Sequence, residues 1–164
     1  MKKRILVINP GSTSTKLGLC AQGENMFARE IGHHKSELAH FDSVLKQMDF
    51  RLDCILSALS ELGEPFVKPG QSHAVVGRGG LLQPMPGGVY KVNKAMVDVL
   101  ASARFGEHPC NLGGPLALAL AERFSKELGQ VVPAFIADPV VTDEMRDPAR
   151  LTGLPGIERR SVFH

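Results

Sequence analysis

The sequence has few cysteines, little net charge and no long hydrophobic run, and each shortage narrows the classes of protein that it can be. Its three cysteines, Cys20, Cys54 and Cys110, lie far apart and show no spacing typical of a zinc site or a redox pair. Free thiols fit a reducing compartment, so we expect a cytoplasmic protein. The net charge of +2 at pH 7 is too small to indicate nucleic acid or an anionic membrane as a partner.

The hydrophobic residues are spread over short segments. The first apolar run, from Ile5 to Ile8, is too short for the hydrophobic region of a signal peptide or for a membrane span. A length of 164 residues suits one compact domain, and 43% hydrophobic with 22% charged residues is an ordinary globular composition. We therefore expect one folded domain and no membrane partner.

The order of hydrophobic segments and turn residues predicts an α/β fold. Ser36 and Asn93 are suitable helix N-caps, Gly129 is a suitable helix stop, and Thr142 followed by acidic residues is typical of a helix start. Because strands lead and helices follow, we expect a mixed rather than a purely parallel β-sheet. The predicted strands lie at 4–8, 16–20, 26–31, 73–76 and 131–136, and the predicted helices at 38–48, 52–62, 96–100 and 115–129.

The loop from Asn9 to Lys16 is the first candidate site. Gly11 has no Cβ and lets a ligand approach the backbone closely, four hydroxyl residues follow from Ser12 to Thr15, and Lys16 adds a positive charge. Such a set can surround phosphate oxygens with hydrogen bonds. The loop lacks the second glycine of a Walker P-loop, and a polar hairpin turn is the alternative interpretation.

Arg78 and His108 each lie among glycines. Arg78 follows a predicted strand within Gly77-Arg78-Gly79-Gly80, where its guanidinium is free to pair with a carboxylate or a phosphoryl group. A surface arginine in a flexible turn fits the same pattern. His108 follows Gly106-Glu107 in a polar loop, where it either donates to a developing charge or caps a helix.

Asp138 follows the last predicted strand, where open α/β sheets present functional groups. A carboxylate there can hold Mg²⁺ through water, steer a nucleophile, or serve as an N-cap. His164 follows Phe163 at the end of the sequence, where a frayed terminus is the ordinary interpretation. For His33, His34 and His40, which have no acidic or cysteine partners nearby in sequence, we expect solvated positions.

Five stretches, taken in order, resemble the acetate/butyrate kinase family, and the butyrate kinase branch more closely. They cover nearly the whole sequence, and their order is far more specific than any single motif. An unrelated phosphate-binding protein with a chance loop is therefore disfavoured. The stretches are Ile5 to Lys16, Val76 to Leu82, Gly106-Glu107-His108, Asp138-Pro139-Val140-Val141 and Gly153 to His164.

The resemblance implies an actin/hexokinase/Hsp70-like (ribonuclease H-like) fold and Mg²⁺-dependent transfer of the ATP γ-phosphoryl group to a short-chain carboxylate, giving an acyl phosphate. It implies that Arg78 neutralises the acid and the transferring group, that His108 and His164 line the site, and that Asp138 is the essential aspartate. Positioning and charge stabilisation dominate phosphoryl transfer, so these residue types suit it. The residues that match the phosphate-side motif are Asn9, Ser12, Ser14 and Lys16.

Two departures from the family pattern affect the expected function. Pro109 and Cys110 replace the small residues expected after Gly-Glu-His, which alters the pocket wall. Residues 1–164 match only the N-terminal acetokinase-type domain, without a second nucleotide-binding domain, so we expect an N-terminal fragment that is inactive alone. Its expected partner is the missing C-terminal domain or another copy of the chain. A stand-alone binding or assembly module that keeps the half-fold is the alternative; an end within a motif, at Phe163-His164, favours the fragment.

Overall fold

A computed structural model describes residues 3–61, 66 and 71–159. In this part of the chain, short helices and turns connect six strands, and two longer helices pack on the sheet. The strands are β1 (Lys3–Pro10), β2 (Ser14–Ala21), β3 (Glu24–Gly32), β4 (Ser72–Arg78), β5 (Val89–Lys91) and β6 (Ala134–Ala137). The helices are α1 (Lys35–Leu38), α2 (Met48–Ser60), α3 (Lys94–Ala101), α4 (Gly113–Leu128) and α5 (Asp147–Arg150), with 3₁₀ turns at Leu45–Gln47 and Pro109–Leu112.

The strands form one mixed sheet in the order β3-β2-β1-β4-β6-β5. The pairs β1–β2, β2–β3 and β5–β6 are antiparallel, whereas β1–β4 and β4–β6 are parallel. A parallel pair needs a crossover connection, and α2 and α4 supply the helices of these crossovers. The predicted α/β class with a mixed sheet is therefore confirmed.

The core lies on one face of the sheet. Alternate residues of β1, Leu6 and Ile8, are fully buried, and they pair in register with Val75 and Gly77 of β4. The opposite face is less covered. Ile5 lies on it and is 37% exposed, and Val7 of the same strand is partly exposed. Helices α2 and α4 pack on the core face through stripes of apolar residues. One face of the sheet is thus covered and the other is more open.

Two backbones touch where β4 ends and α4 begins. A Cβ atom built on Gly77 would lie 2.0 Å from the carbonyl oxygen of Gly113, and one built on Gly113 would lie 2.3 Å from the carbonyl oxygen of Arg78. Neither position has room for a larger residue. This contact fixes the start of α4 against the carboxyl end of β4.

Two predicted helices were wrong in extent or position. The segment after Ser36 forms only α1 and a 3₁₀ turn, with His34 rather than Ser36 at the N-cap. Thr142 starts no helix; its N–H and hydroxyl both bond to the Pro139 carbonyl. By contrast, Asn93 caps α3 as predicted, since its side chain accepts from the Met96 N–H at 2.9 Å.

Within the part of the chain that the structure describes, we find no helix long and apolar enough to cross a membrane.

Candidate functional site

Three of the predicted site segments meet at the carboxyl edge of the sheet. The loop after β1 begins at Pro10, Arg78 ends β4, and Asp138 follows β6 directly. The three strands are neighbours and parallel, and Arg78 is paired in register with Ala137, the residue before Asp138. Open α/β sheets bind ligands at this edge, because adjacent loops there enclose a crevice.

The loop between β1 and β2 is a tight turn. The Gly11 N–H donates to the Ser14 carbonyl at 2.7 Å, and Ser12 and Thr13 at its tip are exposed. Asn9 occupies the last part of β1 and is half-buried. The predicted polar hairpin is therefore present, with its hydroxyl residues at the tip.

Two predicted phosphate-binding groups face a carboxylate of β3. The Ser14 hydroxyl donates to Glu30 at 2.7 Å, and the Lys16 ammonium lies 3.8 Å from the other carboxylate oxygen of Glu30. Both charged side chains are more than half exposed, so solvent screens the pair and it contributes little to stability.

A buried polar network supports the loop from below, and it was not predicted from the sequence. Thr15 and Arg51 are fully buried, and the Arg51 guanidinium donates to the Thr15 hydroxyl at 3.1 Å. His33 Nε2 lies 2.8 Å from the same hydroxyl. His33 is 4% exposed, so its expected solvated position was wrong, whereas His34 and His40 are exposed as expected. The Thr13 carbonyl accepts from the backbone N–H of His33, which joins the end of β3 to the loop.

One signal for Arg51 was present in the sequence. The buried residues of α2 are Arg51, Ile55, Ala58 and Leu59, which follow helical spacing. An arginine within an apolar stripe of this kind indicates a buried cation with internal partners. Gln47, one turn earlier, accepts from Arg51 at 3.0 and 2.9 Å.

Arg78 is exposed at the end of β4, and the loop after it is held rigidly. Gly79 and Gly80 have φ angles of +54° and +145°, which larger residues rarely adopt. The next residue, Leu81, donates its N–H to the Asn111 side chain at 2.8 Å, and Asn111 donates to the Gly106 carbonyl at 2.9 Å. Asn111 thus ties the Arg78 loop to the loop that carries His108.

His108 caps the 3₁₀ turn that precedes α4. Its Nδ1 accepts from the Cys110 N–H at 3.2 Å, so the ring makes this bond as the tautomer with hydrogen on Nε2. The capping alternative is therefore confirmed, and Nε2 still carries a donor. Cys110 is buried, and burial raises the pKa of its thiol to about 11. The thiol is therefore protonated near neutral pH and unreactive.

Asp138 has a strained backbone and a defined side-chain partner. Its φ of +39° is unusual for a residue with a side chain, and strain of this kind is concentrated at functional sites. Its carboxylate accepts from the Gly88 N–H at 2.9 Å, and its own N–H donates to the Gly88 carbonyl at the same distance. Asp138 is exposed, with one carboxylate oxygen engaged in this way.

Asp138 offers one carboxylate oxygen to a hydrated cation. Among residues 3–61, 66 and 71–159, no group of three or more His, Cys, Asp or Glu side chains could hold a metal ion. Magnesium commonly keeps several waters and uses one or two carboxylates together with substrate phosphates, which fits Asp138. His164, the remaining predicted site residue, lies outside the described residues.

Curated relatives match the chain over its whole length. It is 48% identical over 164 residues to a probable butyrate kinase of Maridesulfovibrio salexigens, and 48% identical over 160 residues to one of Oleidesulfovibrio alaskensis. These alignments cover 100% and 98% of this chain but 42% of each relative. The chain thus spans about two fifths of the length of the curated relatives that it matches, and the resemblance that the five motifs indicated is confirmed.

A solved structure supports the fold. The crystal structure of Porphyromonas gingivalis acetate kinase aligns with 99% of this chain and 45% of its own, with a TM-score of 0.54 at 14% identity. At that identity the likeness concerns the fold alone, and it agrees with the predicted actin/hexokinase/Hsp70-like class. No protein-family model matches the chain.

Proposed function

Because this chain belongs to the acetate/butyrate kinase family, we propose that it forms one wall of a butyrate kinase-type active site. There, the γ-phosphoryl group of ATP passes to a short-chain carboxylic acid and gives an acyl phosphate. The chain spans 42% of the length of its relatives, so the proposal assigns the complete reaction to a longer protein. The opposite wall, with the adenosine site, belongs to the remaining length.

The observation that carries this proposal is the convergence at the carboxyl edge of three adjacent parallel strands. The Gly11–Ser14 loop follows β1, Arg78 ends β4 and Asp138 follows β6, so groups that suit a phosphate, a carboxylate and a hydrated cation lie along one edge of the sheet. Phosphoryl transfer needs little covalent chemistry from the protein, and positioning with charge stabilisation supplies most of the rate enhancement.

Arg78 is assigned to the reacting groups. Its exposed guanidinium, on a backbone fixed by Gly79, Gly80 and the Asn111 contacts, can neutralise the acid's carboxylate and the transferring phosphoryl group. The loop hydroxyls and N–H groups of Ser12 and Thr13 are assigned to the phosphate oxygens. Lys16 and Ser14 join them when the phosphate displaces Glu30.

His108 is assigned to the negative charge that develops during transfer, and Asp138 to the magnesium ion. His108 donates through Nε2 to an oxygen that gains negative charge during transfer, while its Nδ1 keeps the capping bond that orients the ring. Asp138 holds water molecules of the magnesium ion that accompanies ATP, through the carboxylate oxygen that Gly88 leaves free.

The decisive test is the substitution R78K in the longer protein that carries this segment. Lysine keeps the charge but loses the planar fork, and we expect kcat/KM for acyl phosphate formation to fall by about 100-fold or more. The substitution R123K, at an exposed arginine of α4 that pairs with Glu127, is the matched control and should leave activity unchanged. Wild-type activity in R78K would contradict the assignment.

The partial length also favours a second candidate, a stand-alone binding or assembly module. Measuring acid-dependent ADP release by the 164-residue chain separates the alternatives. We expect no turnover, because one wall of a cleft cannot enclose the substrates or exclude water. Turnover by the chain alone would contradict the division of the site between two domains, whereas specific binding without any active longer form would favour the module.

A further inference from the structure

Arg51 is a fully buried arginine whose donors are all directed at the phosphate loop or at Gln47. Nη1 donates to the Ser14 carbonyl at 3.2 Å and to the Thr15 hydroxyl at 3.1 Å. Nη2 donates to the Ser12 carbonyl at 3.4 Å and to Gln47, and Nε donates to Gln47. These contacts use the five N–H groups that a guanidinium possesses.

All of these acceptors are neutral. Among the described residues, no ion pair joins Arg51 to a carboxylate. Burying an unpaired cation costs free energy, and burial accordingly lowers the pKa of Arg51, although a guanidinium keeps its proton in proteins. The five hydrogen bonds that Arg51 donates have to offset this cost.

The contacts determine which way the loop presents its polar groups. In a planar trans peptide the N–H points away from the C=O of the same unit. Since Arg51 draws the Ser12 carbonyl inward, the following N–H, that of Thr13, is turned outward. Ser12 and Thr13 are both exposed at the loop tip. The same cation therefore fixes the turn and adds positive charge below the surface that an anion would approach.

We propose that Arg51 is a positioning residue that holds the Gly11–Thr15 loop in the conformation that receives a phosphoryl group. This inference rests on the proposed function, in which that loop binds phosphate. Arg51 acts through the loop carbonyls and the Thr15 hydroxyl, without touching the substrate. Gln47 orients the guanidinium from the preceding turn of the chain.

The test compares three variants of this chain. R51M removes the charge and all five donors but keeps a long unbranched side chain, and R51K keeps the charge with three donors. I55V removes one methylene group from the same buried stripe of α2 without touching the loop, and it controls for general loss of stability. Amide hydrogen exchange reports the loop conformation, and a titration with inorganic phosphate, followed by amide chemical shifts, reports anion binding.

In R51M we expect the Gly11 amide, whose N–H is bonded to the Ser14 carbonyl, to exchange about ten-fold faster or more than in I55V, the factor that one lost charge-assisted hydrogen bond corresponds to. Phosphate affinity should fall in the order wild type, R51K, R51M. Partial rescue by lysine is a result that a purely structural role would not produce.

Each outcome separates the two proposals. Wild-type exchange in the R51M loop would overturn the role of Arg51, whatever the phosphate result. If the wild-type chain shows no saturable phosphate shift, the phosphate assignment of the loop fails, and the exchange rates alone decide whether Arg51 holds the loop. If R51M does not fold, exchange in R51K that is no faster than in I55V overturns the inference.

Discussion

At the scale of single residues, Asp138 combines a positive φ angle with a proposed role in holding the hydrated magnesium ion. Asparagine tolerates the same positive φ and can accept from the Gly88 N–H. We therefore expect the free energy of unfolding of D138N to lie within about 0.5 kcal/mol of the wild-type value. Alanine tolerates a positive φ poorly and cannot accept the Gly88 hydrogen bond, so D138A should be less stable than wild type by about 1–2 kcal/mol. Urea unfolding measures both. Equal stabilities for the two variants would show that neither the φ nor the hydrogen bond matters.

His33 should make the stability of the chain depend on pH. Burial first, and then the charge of Arg51, lower the pKa of His33 in the folded protein. As the pH falls below about 6.5, the unfolded chain binds a proton that folded His33 resists, so the free energy of unfolding decreases. Above that pH, this histidine contributes no dependence.

The measurement is the slope of unfolding free energy between pH 7 and pH 5. H33N should reduce that slope, while H40N, at an exposed histidine, should leave it unchanged. Some slope should persist in H33N, because burial and the charge of Arg4 also lower the pKa of buried His73. A slope in H33N equal to that of wild type would rule out His33 as its source.

The residues of the loop could be predicted from the sequence, but the contacts that support it could not. Asn9, Gly11 and the hydroxyl residues are consecutive, so a local pattern reveals them. Arg51 contacts the loop across 36 to 39 residues, and no local pattern joins two segments so far apart. His33 was judged by its sequence neighbours, whereas its partners, Thr15 and Phe50, come from other elements.

At the scale of elements, the contact between β4 and α4 should tolerate no side chain. G77A would place a Cβ 2.0 Å from the Gly113 carbonyl oxygen, so the helix must move, and we expect a loss of at least about 2 kcal/mol of stability. G18A in β2 is the matched control, since its Cβ would lie 3.8 Å from Val7. Comparable denaturation midpoints for the two variants would contradict this packing.

Residues typical of helix ends predicted some elements correctly and failed for others. Asn93 caps α3, and Gly129 ends α4 in the left-handed conformation, as expected. The predicted helix after Ser36 was wrong, since α1 ends at Leu38 and its capping box is formed by His34 and Glu37 rather than by Ser36. Asp143, expected in a helix start, pairs with Arg150 at 2.8 Å instead. Strand β5 has only three residues and was not predicted.

At the scale of the whole molecule, the open face of the sheet predicts self-association of the 164-residue chain. Ile5 is 37% exposed there, beside partly exposed Val7, Val76 and Phe135, and an apolar surface of this kind favours a partner. We expect the sedimentation coefficient to rise with concentration. I5K should reduce that rise, and V131K, at an exposed valine before β6, should not. A chain that remains monomeric at all concentrations would contradict the prediction.

The position of Arg51 also bears on the order of events during synthesis. The β1–β2 hairpin leaves the ribosome before α2. Arg51 lies 36 to 39 residues after the loop residues that it contacts, so the intervening chain must close before these contacts form. Until α2 docks, the Ser12 and Ser14 carbonyls lack the cation that orients them. The Gly11–Thr15 loop, although it is translated before α2, is therefore expected to reach its final shape only after that helix docks.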